Sequence, residues 1–164
     1  MPQRIFRSVA KKNNARLTEI LGSLFALELL SPSEYFYVIS PFLSEMPLFD
    51  NRYGQFRALL FEEAETWVGL STLLNVLASR DVVVRVIHQP AAKPFIKKLS
   101  STIYTQERNT LHEKGLVSDH FWLSGSMNYT YSGVYQNDEQ ITLETDRDTI
   151  ASAMLDAHDR WDEE

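Results

Sequence analysis

Between positions 13 and 30 the apolar residues recur every three or four places. Leu17, Ile20, Leu21, Leu24, Phe25, Ala26 and Leu27 share a face, which predicts an amphipathic helix. Ser31-Pro32-Ser33 ends it, since proline has no amide hydrogen and cannot continue the helical ladder. The period then changes. YFYVIS (35–40) is a short aromatic and β-branched run and reads as a strand buried on both faces. Pro41 and Pro47 bracket a loop, and residues 53–67 read as a loop followed by a short acidic helix. Helical spacing returns over 69–79, and VVVRVIH (82–88) is the clearest strand in the chain. Residues 91–100 read as a basic helix carrying Lys93, Lys97 and Lys98. Extended segments follow at 102–106, 109–117 and 119–124, and a strand at 139–145. Asp146 or Asp148 then caps a last helix over 148–161 through Ile150, Met154, Leu155, His158 and Trp161.

Helix and buried strand alternate, which is the rhythm of an α/β fold. The expected architecture is a mixed β-sheet flanked by helices on both faces. Its 164 residues fit one domain, with 1–32 as an N-terminal helical segment packed on it and 146–164 as an acidic C-terminal helix. A chain of this size buries roughly two-thirds of its unfolded surface and needs no covalent staple.

Composition removes several chemistries. There is no cysteine, so disulfides, thiolate zinc sites, iron–sulfur clusters and cysteine nucleophiles are all excluded. That fits a reducing compartment. The N-terminus carries charge but no apolar core or small-residue cleavage site, and the apolar stretch 20–30 is too short to cross a bilayer and contains Glu28. A soluble, cytoplasmic protein without a membrane association is expected.

Net charge is −6, which by itself argues against a nucleic-acid binder, but its distribution alters that. Residues 1–136 hold 14 Lys/Arg and 12 Asp/Glu, a balance of +2; residues 137–164 hold 2 and 10, a balance of −8. The acidity belongs to the C-terminal segment, where it forms either a solvated helix face or a docking surface for a partner protein.

The chemistry concentrates in LHEKGLVSDHFWLSGSMNYTYSGVYQNDEQ (111–140). On an extended backbone His112 and Lys114 point to one face and Glu113 to the other. Ser126 and Asn128 share parity in the same way. An imidazole, an ammonium, a hydroxyl and a carboxamide presented to one pocket suit a phosphate. The ammonium neutralises non-bridging oxygens, the hydroxyl and amide donate to them, and the imidazole can attack phosphorus or protonate a leaving oxygen.

This stretch resembles the signature of the phospholipase D superfamily, H-x-K-x4-D followed by G-S-x-N. It reads His112-Glu113-Lys114, then Asp119, then Gly125-Ser126-Met127-Asn128, with five residues between Asp119 and Gly125 where the family has six. The preceding βα order is similar to one family repeat from about residue 33 onward. The resemblance implies a single phospholipase D-like domain. It implies His112 as the nucleophile that becomes a phosphohistidine, with Lys114, Ser126 and Asn128 binding the phosphate. It implies structural roles for Asp119 and Gly125. Glu139, with Asp138 as the neighbouring alternative, matches the carboxylate that orients the histidine, and no metal or other cofactor is implied.

One imidazole cannot both attack phosphorus and protonate the leaving oxygen on its far side in a single step. With one H-x-K motif, the chain is expected to form a twofold homodimer in which His112 from each copy meets across the axis. Small bacterial family members with one motif resemble this arrangement, several act on DNA or RNA, and some belong to bacterial defence systems. The expected activity is metal-independent phosphodiester hydrolysis of a nucleic acid. Two other readings compete: a nucleic-acid-binding or assembly subunit that keeps the fold as a scaffold, and a phospholipid phosphodiesterase or transphosphatidylase.

Further candidates stand beside blander readings. Lys93 and Lys97 are either a phosphate-contacting face or a solvated one. Phe121, Trp122, Tyr129, Tyr131 and Tyr135 crowd the motif; most read as core or dimer packing, and one or two, with Trp122 and Tyr129 foremost, as rings that stack on the bases of a single strand. His88 and His158 read as loop and packing residues.

Overall fold

The computed structural model describes residues 3–9, 15–60 and 66–163. In chain order the elements are β1 (Gln3–Ser8), α1 (Ala15–Leu30), β2 (Tyr35–Ile39), β3 (Pro47–Asp50), β4 (Trp67–Gly69), α2 (Leu70–Ser79), β5 (Val83–His88), α3 (Lys93–Ile96), β6 (Tyr104–Glu107), β7 (Gly115–Val117), β8 (Trp122–Gly125), α4 (Tyr131–Tyr135), β9 (Glu139–Glu144) and α5 (Arg147–Asp162). Seven strands make one sheet in the order β1-β9-β8-β7-β2-β5-β6, and β3 and β4 form a separate hairpin. β2, β5 and β6 run parallel, while β7, β8, β9 and β1 run antiparallel.

Strand alternation divides the interior into two layers. Phe36, Val38, Val84, Val86, Leu116 and Leu123 face α1 and α2, where they meet Leu21, Phe25, Leu73 and Leu77. Tyr37, Ile39, Ile87 and Val117 face the other way and pack under Ala153 and Ala157 of α5. β2 is central and covered on both sides, which is why its sequence is an unbroken apolar run instead of an alternating one. The sheet with helices on both faces matches the architecture read from the sequence.

Three local expectations change. The first strand lies inside the N-terminal segment read as helical: β1 pairs with β9 from Gln3 opposite Glu144 to Ser8 opposite Glu139. The basic helix of 91–100 shrinks to one turn, Lys93–Ile96, after a 3-10 turn at Pro90–Ala92. Asn75 stops it, accepting from the Ser100 N–H at 2.7 Å and donating to the Lys98 carbonyl at 3.1 Å. Only Gly115–Val117 of the expected 109–117 strand pairs with neighbours, because Leu111 N–H turns back to the Arg108 carbonyl at 3.3 Å. The acidic helix expected near the end of 53–67 falls mostly on 61–65, outside the described residues, and Trp67 already belongs to β4. Of the two cap candidates, Asp146 is the one used: its carboxylate accepts from the Thr149 N–H at 3.1 Å.

Candidate active site

Register places the chemistry at one edge of the sheet. Gly115, which opens β7, lies opposite Ile39, which closes β2. Gly115 also faces Ser124 near the end of β8, and Gly125 faces Ile141 near the start of β9. His112 and Lys114 therefore enter, Ser126 and Asn128 leave, and Glu139 begins at a single edge. It is the carboxyl end of the parallel strands, where open α/β sheets bind ligands.

The turn after β8 depends on glycine. Gly125 has φ +143°, and a Cβ built there would sit 2.1 Å from the Gln140 carbonyl oxygen, so no side chain fits. Beyond it, Ser126 N–H donates to that carbonyl at 3.0 Å, and the Gln140 N–H donates to the Ser126 hydroxyl at 3.0 Å. Met127 and Tyr129 then point into the core, which turns Ser126 and Asn128 outward. Ser40, at the end of β2, secures this segment. It accepts from the Tyr129 N–H at 3.3 Å and donates to the Phe42 carbonyl at 2.7 Å, with the Asn128 carboxamide oxygen 3.4 Å away.

His112 is exposed, and among the described residues its ring has no hydrogen-bond partner in this chain. Lys114 Nζ donates to the His112 carbonyl at 3.0 Å and is half-buried. Glu139 occupies the edge as expected, but within the chain its carboxylate accepts from the Ser126 hydroxyl and, at 3.5 Å, from the Asn137 amide. Its bonds here are to the phosphate-side hydroxyl and not to the imidazole. Between His112 and Lys114, Glu113 points the opposite way and pairs with Arg160 of α5. Gln89 donates to the Leu111 carbonyl at 2.6 Å, so the histidine-bearing segment is tied on both sides.

Asp119 is far from this edge. It follows β7, whose Val117 lies opposite Tyr37, so it sits at the other end of the sheet, about 20 Å from His112 along an extended chain. There it accepts from the Glu34 N–H at 2.8 Å, while its own N–H donates to Ser33 Oγ at 3.0 Å. Ser33 in turn donates from Oγ and N–H to the buried carboxylate of Glu28, at 3.0 and 3.1 Å.

The remaining candidates scatter. Lys93 is exposed and pairs with Glu107 at 3.1 Å, at the site edge of β6; Lys97 is exposed one turn on. Trp122 and Tyr129 are corrections to the stacking reading. Trp122 lies at the opposite end of β8 from Gly125 and packs half-buried against the layer under α5. Tyr129 is 2 % exposed, and burial pushes its phenol far above the ordinary tyrosine range, so its ring is out of reach of any substrate. His88 is buried, with Nδ1 2.8 Å from the Gln89 carbonyl. His158 packs on the Tyr35 ring and lies 2.6 Å from the Tyr37 hydroxyl. The sequence reading missed Ser40, Arg160 and the exposed Phe42; of the aromatics it named around the motif, Tyr131 is the exposed one. Proline spacing marked the Phe42 loop, but nothing local marked the contacts.

The family model described as "Cardiolipin synthase, PLD-like domain" matches residues 59–161, more than half of the chain. The chain belongs to the phospholipase D superfamily. Solved structures of the superfamily have its fold. Nuc from Salmonella typhimurium, a phospholipase D family member, is 14 % identical with a TM-score of 0.58, over 98 % of this chain and 95 % of that one. NucT from Helicobacter pylori is 16 % identical with a TM-score of 0.55, over 94 % and 92 %. TrmBL2, an archaeal chromatin protein with a novel mode of DNA binding, is 10 % identical with a TM-score of 0.51, over 96 % of this chain and 52 % of that one. No curated protein matches the sequence significantly. Among the described residues no helix is long and apolar enough to cross a membrane.

Proposed function

We propose that this phospholipase D-like chain is a metal-independent phosphodiesterase, a nuclease that works through a phosphohistidine at the seam of a homodimer. One observation carries the reading: an exposed imidazole without a hydrogen-bond partner among the described residues shares a sheet edge with Lys114, Ser126 and Asn128.

In this reading a non-bridging phosphate oxygen sits by Lys114 Nζ, and Ser126 and Asn128 donate to the phosphate. The Lys114 charge and these donors offset the negative charge that builds as phosphorus becomes five-coordinate. His112 attacks phosphorus and the bond to the leaving oxygen breaks. The partner's His112, on the opposite side, gives that oxygen its proton. Now neutral, the partner's His112 takes a proton from water, whose oxygen attacks phosphorus and breaks the P–N bond. Each imidazole ends as it began. In the free chain Glu139 accepts the hydrogen bond of the single Ser126 hydroxyl proton, and gives it up to the phosphate when substrate binds. A nucleic acid is the substrate class that fits a chain whose first 136 residues carry a balance of +2, and the fold likeness to a DNA-binding chromatin protein supports it.

The test is cleavage of labelled single-stranded DNA, duplex DNA and RNA in excess EDTA by wild type and His112→Ala, with light scattering on the same samples. A dimer that cuts in EDTA, and a variant at least 1000-fold slower, as an order of magnitude for a lost nucleophile, support the reading. Equal cleavage by both proteins overturns it. Binding without turnover in either would replace it with the scaffold reading.

A further inference from the structure

Two large aromatic rings stand open beside the phosphate edge. Phe42 and Tyr131 are each 47 % exposed, although their sequence neighbours Leu43 and Tyr129 are buried. Both belong to one clipped unit. Leu43 bridges Tyr129, Ser44 N–H donates to the Tyr129 carbonyl at 3.2 Å, and Tyr131 N–H donates to Ser44 Oγ at 2.8 Å. Ser40 Oγ joins the same unit to Asn128, so the two rings are fixed relative to the phosphate-binding carboxamide.

Tyr131 is held as a platform. One face stacks on Tyr135 with centroids 4.7 Å apart and planes at 26°, and Tyr135 is itself anchored by its hydroxyl on the Pro47 carbonyl at 2.8 Å. A rigid ring with one face covered and the rest exposed loses little side-chain freedom on stacking. Tyr131 lies three residues after Asn128, on the segment that leaves the same sheet edge. Stacking on such rings is tolerant of base identity and needs an unpaired base, because a duplex hides its base faces.

Resting on the nuclease reading above, we propose that Phe42 and Tyr131 form a base-stacking platform, and that the substrate of this edge is single-stranded nucleic acid held by its bases as well as its phosphates. The platform acts on affinity and leaves the chemistry at phosphorus untouched. It predicts a preference for unpaired over paired strands with little sequence preference.

The experiment measures binding by fluorescence anisotropy to a labelled 15-nucleotide oligothymidylate, an abasic strand of equal length and a 15-base-pair duplex, a length within the roughly 4–16 nucleotides that common single-strand sites cover. His112→Ala is the background, so that no probe is cut. The expected result is oligothymidylate bound about tenfold more tightly than the abasic strand, about 1.4 kcal/mol. Phe42→Ala/Tyr131→Ala should lower it to the abasic level while leaving the abasic affinity unchanged. Tyr131→Trp, which enlarges the stacking face, should tighten oligothymidylate alone. Equal binding of the two strands overturns the platform, as does an equal loss for both strands in the double variant. A double variant that becomes monomeric in light scattering also overturns it, because the rings would then belong to the seam between two copies. If wild type and His112→Ala cut equally, the nuclease reading falls, whereas the comparison of strands with and without bases still decides the platform.

Discussion

The Glu34 N–H donates to the Asp119 carboxylate at 2.8 Å, across 85 positions of sequence and at the end of the sheet opposite His112. Asp119 thus joins the turn after β7 to the entrance of β2, and Ser33 and Glu28 extend the link to α1. Asp119→Ala should cost about 1 kcal/mol of stability, the usual net value of one such bond. A thermal melt should show the lower midpoint, with activity per folded molecule unchanged at a temperature well below it. Lost activity in a fully folded variant would place Asp119 in the chemistry.

Gly125→Ala should be far more damaging. Its backbone has φ +143° and the new methyl would meet the Gln140 carbonyl, so Ser126 must shift off that carbonyl. Strain of this kind costs about 1–3 kcal/mol. Urea unfolding should show the loss, and phosphate-ester turnover should fall even at temperatures where the variant is folded.

Arg160 pairs with Glu113 between the two catalytic candidates. The pair is partly exposed, so its loss should move stability by no more than about 1 kcal/mol. Arg160→Ala should nevertheless reduce kcat several-fold with KM little changed, by loosening the segment that carries His112. The exchange Glu113→Arg/Arg160→Glu should restore kcat. If the exchange behaves like the single variant, the pair does not position the segment.

Stability should decline on the alkaline side. Burial raises the phenols of Tyr129 and Tyr37, the latter partly opposed by the hydrogen bond from Arg85. Both rings stay protonated to higher pH in the folded chain than in the unfolded one. The fold therefore keeps its full stability below about pH 10 and loses it as pH rises further, with a slope of up to about 1.4 kcal/mol per unit for each phenol. Urea unfolding across this range should show the slope, reduced in Tyr129→Phe.

On the acid side, Asp146 has the opposite sign. The Thr149 N–H and hydroxyl hold its carboxyl below the usual 3.8. Its share of stability is present above that value and disappears as pH falls through the folded one. Asp146→Asn keeps a capping oxygen and should flatten the dependence in melts taken from neutral to acid pH.

How much of this was legible follows from where each signal lies along the chain. β2 and β5 were plain, since burial on both faces leaves β2 an unbroken apolar run and β5 one broken within only by Arg85. The candidate set His112, Lys114, Ser126 and Asn128 could be picked out because its members lie within 17 residues and share parity. β1 was hidden because it covers the sheet margin with only Phe6 and Ser8 partly buried, so no alternation betrays it. The shortening of the 91–100 helix depends on Asn75, and the turn of Glu139 toward Ser126 depends on the β8–β9 pairing. Neither is encoded near the residues it affects. Tyr129 could be read from its neighbours as a stacking ring or a packing one, and the bridge to Leu43 places it inside.

The pairing of β1 with β9 has a consequence for the order of assembly. Gln3 meets Glu144 and Ser8 meets Glu139, so β1 has no place to dock until β9 has been made. Contacts this distant in sequence are late and slow to form. Until they do, the margin of β9 is an open row of amides and carbonyls, able to recruit a strand from any neighbour. The Ser8 hydroxyl, which receives the Glu139 N–H at 3.2 Å, makes closure of the sheet and the placing of Glu139 one event, so a chain still lacking that pairing has a loose partner for Ser126.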